Sequence, residues 1–350
     1  AELRKLLHYV PTDIKAKMSL ANVIHESFED TSEAVELLSR GLEDPPVAPS
    51  PLHDKVPGEG GGPMLRWFAA KEAGLVAASN GDHVAAQKYF DICAEIDEKK
   101  KIEQFPHGVQ LYMFEMVNAL CAGNSELAAK KEKDLIRANP NAPSILSAWE
   151  YIASTSVGMR PNSSFFFGAR RLLEFAMDAV SVPDGLVLQF GVWHGKSLRW
   201  IADRFPDRQV HGFDTFTGLP EDWDPGNTEG SYSAQGSLPS NLSQNVQLHV
   251  GLFSESLPGF LDAHAGPISF MHIDCDLYAG TKDIFDQIFS RVVPGTIIVL
   301  DEMFFYTDWA NHEFKAFKEA VAKNNWTFKY LAVSGYSSGA TVVRITGPTK

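Results

Sequence analysis

Hydrophobic positions follow two different periods along this chain, and the change between them falls near residue 160. Before that point, apolar residues recur every three or four positions, as they do on one face of a helix. After it, short apolar runs alternate with helical stretches, and such runs are typical of buried parallel strands. The pattern therefore predicts an all-α region followed by an α/β region.

The all-α region, predicted for residues 1–150, contains two helix–turn–helix pairs. Its helices are predicted at 64–79, 83–96, 110–121 and 125–138, after a separate amphipathic segment at 33–42. The second helix of each pair carries two adjacent alanines, which favour close helix packing. A domain of helical-hairpin, TPR-like repeats fits this plan. An irregular helical cap on the second region fits it equally well.

Proline and glycine crowd the stretch 44–63, where neither a helix nor a strand can continue. We expect a flexible linker there, and a loop that covers a substrate is the alternative interpretation.

The α/β region, predicted for residues 160–350, contains seven strands. They are predicted at 186–190, 209–214, 246–251, 268–274, 296–301, 326–333 and 339–346. Helices are expected at 163–180 and near 197–204, 256–263, 280–290 and 311–323. The stretch between the last two strands is too short for a crossover helix, so these strands must form an antiparallel hairpin. A parallel sheet closed by such a hairpin is the seven-stranded, Rossmann-like sheet of methyltransferases.

A strand, a glycine turn and the start of a helix follow one another at 186–197. Trp193 stands where a dinucleotide fingerprint needs its second glycine, and the spacing from Gly191 to Gly195 is one residue too short for a phosphate-binding loop. NAD, FAD and the ATP of a P-loop kinase are therefore disfavoured. S-adenosylmethionine, which has no phosphate, is favoured, and an ordinary strand-to-helix turn is the alternative. Asp214 ends the next strand, where a carboxylate can hold a ribose diol.

Two further strands end in pairs of acids, Asp274 with Asp276 and Asp301 with Glu302. If the strands are neighbours, their ends lie about 4.8 Å apart. Carboxylates at that spacing repel one another unless a cation lies among them or some of them hold protons. Oxygen ligands favour Mg²⁺, Mn²⁺ or Ca²⁺ over zinc. The alternative is that the aspartates only cap the next helix and Glu302 faces solvent.

Composition and charge exclude some classes of function. A net charge of −13 opposes nucleic-acid binding, and no apolar run reaches the length of a membrane span. Cys93, Cys121 and Cys275 have neither metal-ligand nor disulfide spacing. The start of the chain has no signal-peptide pattern, so we expect reduced thiols and a cytoplasmic location. The sequence leaves the oligomeric state open, with a homo-oligomer as one alternative.

Five motifs occur in order in the second region: QFGVWHGKS (189–197), GFDTFTGLPEDW (212–223), GLF (251–253), HIDCDLY (272–278) and LDE (300–302). Together they resemble the macrocin O-methyltransferase family, whose members use S-adenosylmethionine to methylate sugar hydroxyls in macrolide and related pathways. The resemblance implies that Gly191 and Gly195 line the methionine moiety and that Asp214 binds the ribose. It also implies Mg²⁺ held by Asp274, Asp301 and Glu302. The full set of cofactor-binding residues expected from these motifs is Gln189, Gly191, Gly195, Ser197, Asp214, Gly251, Phe253 and Asp274.

Two positions depart from the family pattern. Gln189 replaces the usual glutamate, which removes a charge that would attract the cofactor's ammonium group. The pair Asp301–Glu302 stands where the family tends to have two aspartates. The first 150 residues lie outside the resemblance, so it does not identify the methyl acceptor.

The expected function is a metal-dependent O-methyltransferase that acts on a hydroxyl of a sugar, a glycosylated compound or another polyhydroxylated small molecule. Asp274 or Asp276 is predicted to accept the proton, and His272 and His312 are weaker candidates because such histidines more often pack in the core. Four aromatic residues are candidates for stacking on a sugar ring: Trp223, Tyr232, Tyr278 and Phe305. The alternative is an interaction scaffold, in which the helical repeats bind a protein partner and the methyltransferase fold is vestigial; Gln189 favours it slightly.

Overall fold

The structure is a computed structural model that describes residues 62–79, 81–100, 106–138, 142–155, 165–166, 169–224, 226–334 and 339–347. The chain divides into two compact units, residues 1–140 and 141–350. The helix predicted at 33–42 lies outside the described residues, as does the predicted linker apart from its last two positions. Those two positions, Gly62 and Pro63, already belong to the first described helix.

The first unit is helical in its described part. Its helices are α1 (Gly62–Ser79), α2 (His83–Lys100), α3 (Pro106–Cys121) and α4 (Ser125–Ala138). Helix α1 packs on α2, and α3 packs on α4. The side chains of Asp82 and Asn124 accept hydrogen bonds from the N–H groups of Ala85 and Leu127, which caps the second helix of each pair. The predicted helical character is confirmed for the described residues of this unit, while its TPR-like character stays a prediction.

In its described part, the second unit is built around one eight-stranded sheet, which has one strand more than the seven predicted. Its strands are β1 (Phe165–Phe166), β2 (Leu186–Phe190), β3 (Val210–Asp214), β4 (Val246–Val250), β5 (Ile268–Ile273), β6 (Val292–Leu300), β7 (Thr327–Ser334) and β8 (Thr341–Gly347). Their order is β1-β7-β8-β6-β5-β2-β3-β4. The strands β4, β3, β2, β5 and β6 run parallel, whereas β8 runs antiparallel to β6 and β7. The α/β class and the closing hairpin are therefore confirmed.

The short edge strand β1 corrects one prediction. The stretch 163–180 was expected to be a single helix, but Phe165 and Phe166 pair in parallel with β7. The helix begins only at Ala169. A two-residue strand leaves no periodic signal, so only its distant partner reveals it.

Six helices accompany the sheet in the described part of this unit. They are α5 (Ala142–Ala153), α6 (Ala169–Asp178), α7 (Lys196–Arg204), α8 (Phe253–Ala263), α9 (Tyr278–Ile288) and α10 (Glu313–Asn324). Helix α5 was not predicted. The predicted boundary near residue 150 places it in the helical domain, whereas the division at 140 and 141 groups it with the sheet.

The central strands carry the core of the second unit. Every residue of β5 is buried, as are the last five residues of β6. Strands covered by helices on both faces must be apolar almost throughout. None of the helices in the described part of the chain combines the length and the apolar character that a membrane crossing requires.

Candidate active site

A cavity of about 850 Å³ lies at the carboxyl ends of the parallel strands. Ligands of open α/β sheets bind at this edge. The predicted site residues that line the cavity are Gly191, Ser197, Asp214, Gly251, Phe253, His272, Asp274, Asp276, Asp301 and Glu302. Gln189 and Gly195 are not among the lining residues. The topology thus brings ten predicted residues from five strand ends to one cavity.

Gly191 occupies a position that only glycine can fill. Its φ angle of +81° lies in the left-handed region, and a Cβ atom there would overlap the carbonyl oxygen of Asp274. Its N–H group donates to the carbonyl of Phe213 at 2.9 Å. The turn after β2 is therefore wedged between the ends of β3 and β5, which fixes the shape of this side of the cavity.

Gln189 and Gly195 shape the turn without lining the cavity. The buried amide nitrogen of Gln189 donates to the carbonyl of Gly191 at 2.8 Å and to the hydroxyl of Ser197 at 2.7 Å. Gly195 caps α7 with a φ of +75°, and a side chain there would face Pro239. These positions indicate support of the turn, rather than the direct cofactor contact expected from the sequence.

Asp214 is held by three backbone amides. Its Oδ2 accepts hydrogen bonds from Val192 N at 2.6 Å and Trp193 N at 2.7 Å, and its Oδ1 accepts one from Phe216 N at 2.6 Å. Hydrogen bonds to an ionised acceptor are about twice as strong as neutral ones. The carboxylate therefore fastens the glycine turn to β3, and Asp214 lines the cavity.

The two acid pairs stand at adjacent strand ends, as predicted. Ile273 of β5 pairs with Leu300 of β6, and the N–H of Asp301 donates to the Ile273 carbonyl at 2.9 Å. Carboxylate oxygens of Asp274, Asp301 and Glu302 lie within 4.8 Å of one another. Glu302 is buried rather than facing solvent, which removes one part of the alternative interpretation.

Burial and mutual repulsion change the acidity of this cluster. Burial raises the pKa values of the Asp274 and Glu302 carboxyls, and the nearby charges of Asp301 and Asp276 raise them further. Burial, followed by the charges of Asp301 and Asp224, raises the pKa of Asp276 to about 7. Crowded carboxylates repel one another and hold protons more tightly. A positive charge near the cluster, from a proton or a bound cation, would reduce this repulsion.

The three clustered carboxylates fit a hard divalent cation. Mg²⁺ and Ca²⁺ bind oxygen at about 2.0–2.6 Å, so oxygens up to roughly twice that distance apart can share one ion. The separations, all within 4.8 Å, satisfy this condition for the longer Ca²⁺ bonds, whereas Mg²⁺, which binds at about 2.0–2.1 Å, needs the oxygens within about 4.2 Å of one another. All three donors are carboxylates, which suits Mg²⁺, Mn²⁺ or Ca²⁺ better than zinc.

His272 lines the cavity, and its ring is held beside the acid cluster. It is 1% exposed, and its Nε2 lies 3.3 Å from Oδ1 of Asp301. A ring held in this way orients the carboxylate that it contacts. His312 is only partly buried, with its ring 6.4 Å from that of Trp223, and it does not line the cavity.

Aromatic side chains border the cavity differently from the prediction. Of the four candidates for sugar stacking, Tyr232 lines the cavity, whereas Trp223, Tyr278 and Phe305 do not. Phe305 is buried against Trp149, with ring centroids 4.3 Å apart. Trp193 also lines the cavity, and it meets Tyr232 edge-to-face at 5.9 Å. Trp193 and Tyr232, 47% and 45% exposed, form an aromatic pair on the cavity wall.

Sequence reasoning missed one carboxylate, that of Glu313. It is the first residue of α10 and is fully buried, and its Oε2 accepts a hydrogen bond from the N–H of Glu302 at 3.1 Å. A signal for it was present in the sequence, because Ala316, Phe317 and Ala320 follow at the spacing of one helical face. All three are buried, so the acid begins the buried stripe of its helix.

Comparisons with known proteins agree with this geometry. Residues 188–303 match a family model described as a methyltransferase domain. A curated relative from Streptomyces olivaceus, 8-demethyl-8-(2,3-dimethoxy-alpha-L-rhamnosyl)-tetracenomycin-C 4'-O-methyltransferase, is 27% identical over 176 residues. That match covers 44% of this chain and 64% of the relative, so the chain spans just under two thirds of the relative's length.

Two solved structures are also similar. The calicheamicin methyltransferase CalS11 is 19% identical, with a TM-score of 0.41, over 59% of this chain and 93% of its own. The O-methyltransferase NovP is 18% identical, with a TM-score of 0.40, over 68% of this chain and 100% of its own. The residues that match the family model include most of those that line the cavity. Residues 188–303 therefore match a methyltransferase domain, which confirms the resemblance to S-adenosylmethionine-dependent methyltransferases for this part of the chain.

Proposed function

We propose that this chain transfers the methyl group of S-adenosylmethionine to a hydroxyl of a sugar or other polyhydroxylated small molecule, with the help of a divalent cation. One observation carries the proposal: a single cavity joins the glycine turn and Asp214 to the carboxylates of Asp274, Asp301 and Glu302. A substrate bound in this cavity could therefore lie close to both the cofactor and the cation.

The cofactor side of the cavity extends from β2 to β4. Asp214 would accept hydrogen bonds from the ribose hydroxyls, and Gly191 leaves room for the backbone to approach the methionine moiety. Ser197, Gly251 and Phe253 complete this wall. Phe253 also packs edge-on against Phe190, which fixes its ring beneath the cavity.

The acceptor side is formed by the acid cluster and the aromatic pair. Asp274, Asp301 and Glu302 would hold the cation, which when bound lowers the pKa of a coordinated hydroxyl. His272 orients Asp301 through the contact described above. Asp276, which lines the same cavity, is the proposed acceptor of the hydroxyl proton. Methyl transfer further requires the acceptor oxygen to be aligned with the methyl carbon, a task of the cavity walls.

A sugar-bearing acceptor has two supports. Trp193 and Tyr232 expose aromatic surface to the cavity, and such surfaces pack well against the apolar face of a sugar ring. The name of the curated relative from Streptomyces olivaceus describes a 4'-O-methyltransferase of a tetracenomycin that bears a rhamnosyl group. The proposal also includes a cytoplasmic location, a homo-oligomer and a protein partner for the helical unit.

The test combines calorimetry with a methyl-transfer screen. Titration of S-adenosylmethionine should show binding to the wild type, and formation of S-adenosylhomocysteine should depend on a glycosylated or polyhydroxylated acceptor. Asp301→Asn should abolish the turnover but leave cofactor affinity largely intact, while the exposed Asp262→Asn serves as the matched control. Absence of cofactor binding would favour the scaffold alternative. Equal turnover in excess EDTA would remove the cation from the proposal.

A further inference from the structure

Glu313 is a buried acid that the proposed reaction does not use. Its side chain is fully buried, and it is not among the residues that line the cavity. Oε2 of Glu313 accepts the N–H of Glu302 at 3.1 Å, and the backbone N–H of Cys275 also donates a hydrogen bond to this carboxylate. Its Oε1 is buried without a hydrogen-bond partner.

The two donating amides belong to the two segments that carry the acids. Cys275 lies between Asp274 and Asp276, and Glu302 directly follows Asp301. Within the described residues, the bond from Asp301 N to the Ile273 carbonyl is the last backbone hydrogen bond that joins these segments. Beyond it, the carboxylate of Glu313 is the group that ties one acid pair to the other.

Stability of the fold alone does not explain a charged group in this position. A buried carboxylate is costly, and this one lies near the charges of Asp301 and Asp276. The N-terminus of α10 offsets part of that cost. A neutral glutamine could still accept a backbone hydrogen bond through its amide oxygen, without the repulsion. The charge therefore opposes the stability of the protein when no cation is bound.

We propose that Glu313 is a positioning residue for the cation site: it fixes the spacing between the Asp274–Asp276 and Asp301–Glu302 segments and adds its charge behind them. This inference rests on the proposed function, because it assigns Glu313 a role toward the same cation. Groups that orient metal ligands from behind commonly change metal affinity by about 10- to 100-fold when they are replaced.

The experiment compares Glu313→Gln with the wild type in the absence of any acceptor. Calorimetric titration with Mn²⁺ should show affinity weaker by about 10- to 100-fold. Affinity for S-adenosylmethionine should change by less than about threefold, since the cofactor side does not touch this residue. The melting temperature without cation should stay equal or rise, because glutamine can keep the hydrogen bond to the N–H of Glu302 and removes a carboxyl whose ionisation is opposed by burial and by Asp301 and Asp276. Glu319→Gln, an exposed change on the same helix, is the control and should match the wild type.

The outcomes separate the inference from the function on which it rests. A merely structural Glu313 would give the opposite pattern, a lower melting temperature without cation and unchanged Mn²⁺ affinity, and this would overturn the inference alone. Wild-type protein that binds S-adenosylmethionine but no Mn²⁺ would overturn the proposed cation and the inference with it. If Glu313→Gln does not fold, Glu313→Asp keeps the charge but shortens the reach. Mn²⁺ affinity should then still fall, and wild-type affinity would overturn the inference.

Discussion

The two sides of the cavity hold their carboxylates in opposite ways. Asp214 receives three backbone hydrogen bonds of 2.6–2.7 Å. Asp274, Glu302 and Glu313 lie among other acids, and burial together with neighbouring charge raises the pKa of each carboxyl. Backbone N–H groups thus stabilise the carboxylate of the proposed cofactor side, whereas the carboxylates of the proposed cation side repel one another.

One sheet edge can therefore serve two purposes. Backbone amides at a turn preorganise a carboxylate without any ligand, so that side should keep its shape when empty. Carboxylates that repel one another reduce the stability of the folded state when no cation is bound. A cation that binds to them stabilises the folded state through its binding free energy. The same substitution, Asp to Asn, should therefore have opposite effects on stability at the two sides.

The largest effect is expected for Gly191→Ala. The new methyl group would overlap the Asp274 carbonyl, and the φ of +81° is unfavourable for alanine. We expect a loss of unfolding free energy on the order of 4 kcal/mol, measured by urea denaturation. Gly230→Ala is the matched control, because Gly230 has a φ of +82° but no neighbouring atom within 4 Å of an added Cβ. Equal losses in the two variants would show that no close approach defines the cofactor side.

Asp214→Asn should give the next largest effect. An amide cannot accept with its nitrogen, so at least one of the three backbone N–H groups would lose its partner. The expected loss of unfolding free energy is roughly 1–3 kcal/mol, together with weaker cofactor binding by calorimetry. Asp224→Asn is the control, since Asp224 also accepts backbone hydrogen bonds, but at an exposed position where water can replace it. A control that loses as much stability as Asp214→Asn would argue against a preorganised cofactor side.

Asp274→Asn should have the opposite sign. It removes a carboxylate whose ionisation is opposed by burial and by the charges of Asp301 and Asp276. Without cation, the unfolding free energy at mildly alkaline pH should rise by about 1 kcal/mol. Thermal shift with Mg²⁺ should in turn disappear. Destabilisation of the cation-free protein by this variant would remove the contrast between the two sides.

Much of the fold followed from local patterns in the sequence. The strand at 186–190 and the helix at 125–138 form with the predicted bounds, because buried apolar runs and capped amphipathic runs are local signals. Helix α5 was missed because its contacts are made with a distant part of the chain. The hydroxyl of Tyr151 lies 2.9 Å from that of Tyr330. Strand β1 was missed for a related reason: only its pairing with β7, far along the chain, defines it.

The site followed from the sequence to the extent that its residues end strands. Acids at the ends of β5 and β6 could be placed together because neighbouring parallel strands share one edge. Glu313 could not be placed there, since its contact with Glu302 depends on where α10 packs after β6. The direction of a side chain was equally hidden: Gln189 is the next-to-last residue of a predicted strand, but its amide donates to Ser197 and does not line the cavity.

The smallest expected effect concerns pH and the cofactor side. His211 of β3 is buried, its Nδ1 lies 3.1 Å from Nε2 of His249, and its ring lies 4.7 Å from that of His264. Burial, followed by the charges of these two histidines, lowers the pKa of His211 to about 4. As the pH falls from about 6.5 toward 4, the unfolded chain takes up a proton that the folded chain resists. The stability contributed by neutral His211 is therefore complete above pH 6.5 and is lost as the solution becomes more acidic.

His211→Asn should make the unfolding free energy less dependent on pH between 7 and 5, with a difference from the wild type on the order of 1 kcal/mol at the lower pH. Urea titrations at both values measure it, and the exposed His194→Gln provides the control. His211 lies on β3, the strand that ends in Asp214, so its protonation in acid should destabilise the cofactor side. His211 does not belong to the acid cluster of the cation side. If the unfolding free energy of His211→Asn depends on pH as strongly as that of the wild type, the acid sensitivity comes from groups other than His211. The stability of the cofactor side would then not change between the two pH values through this residue.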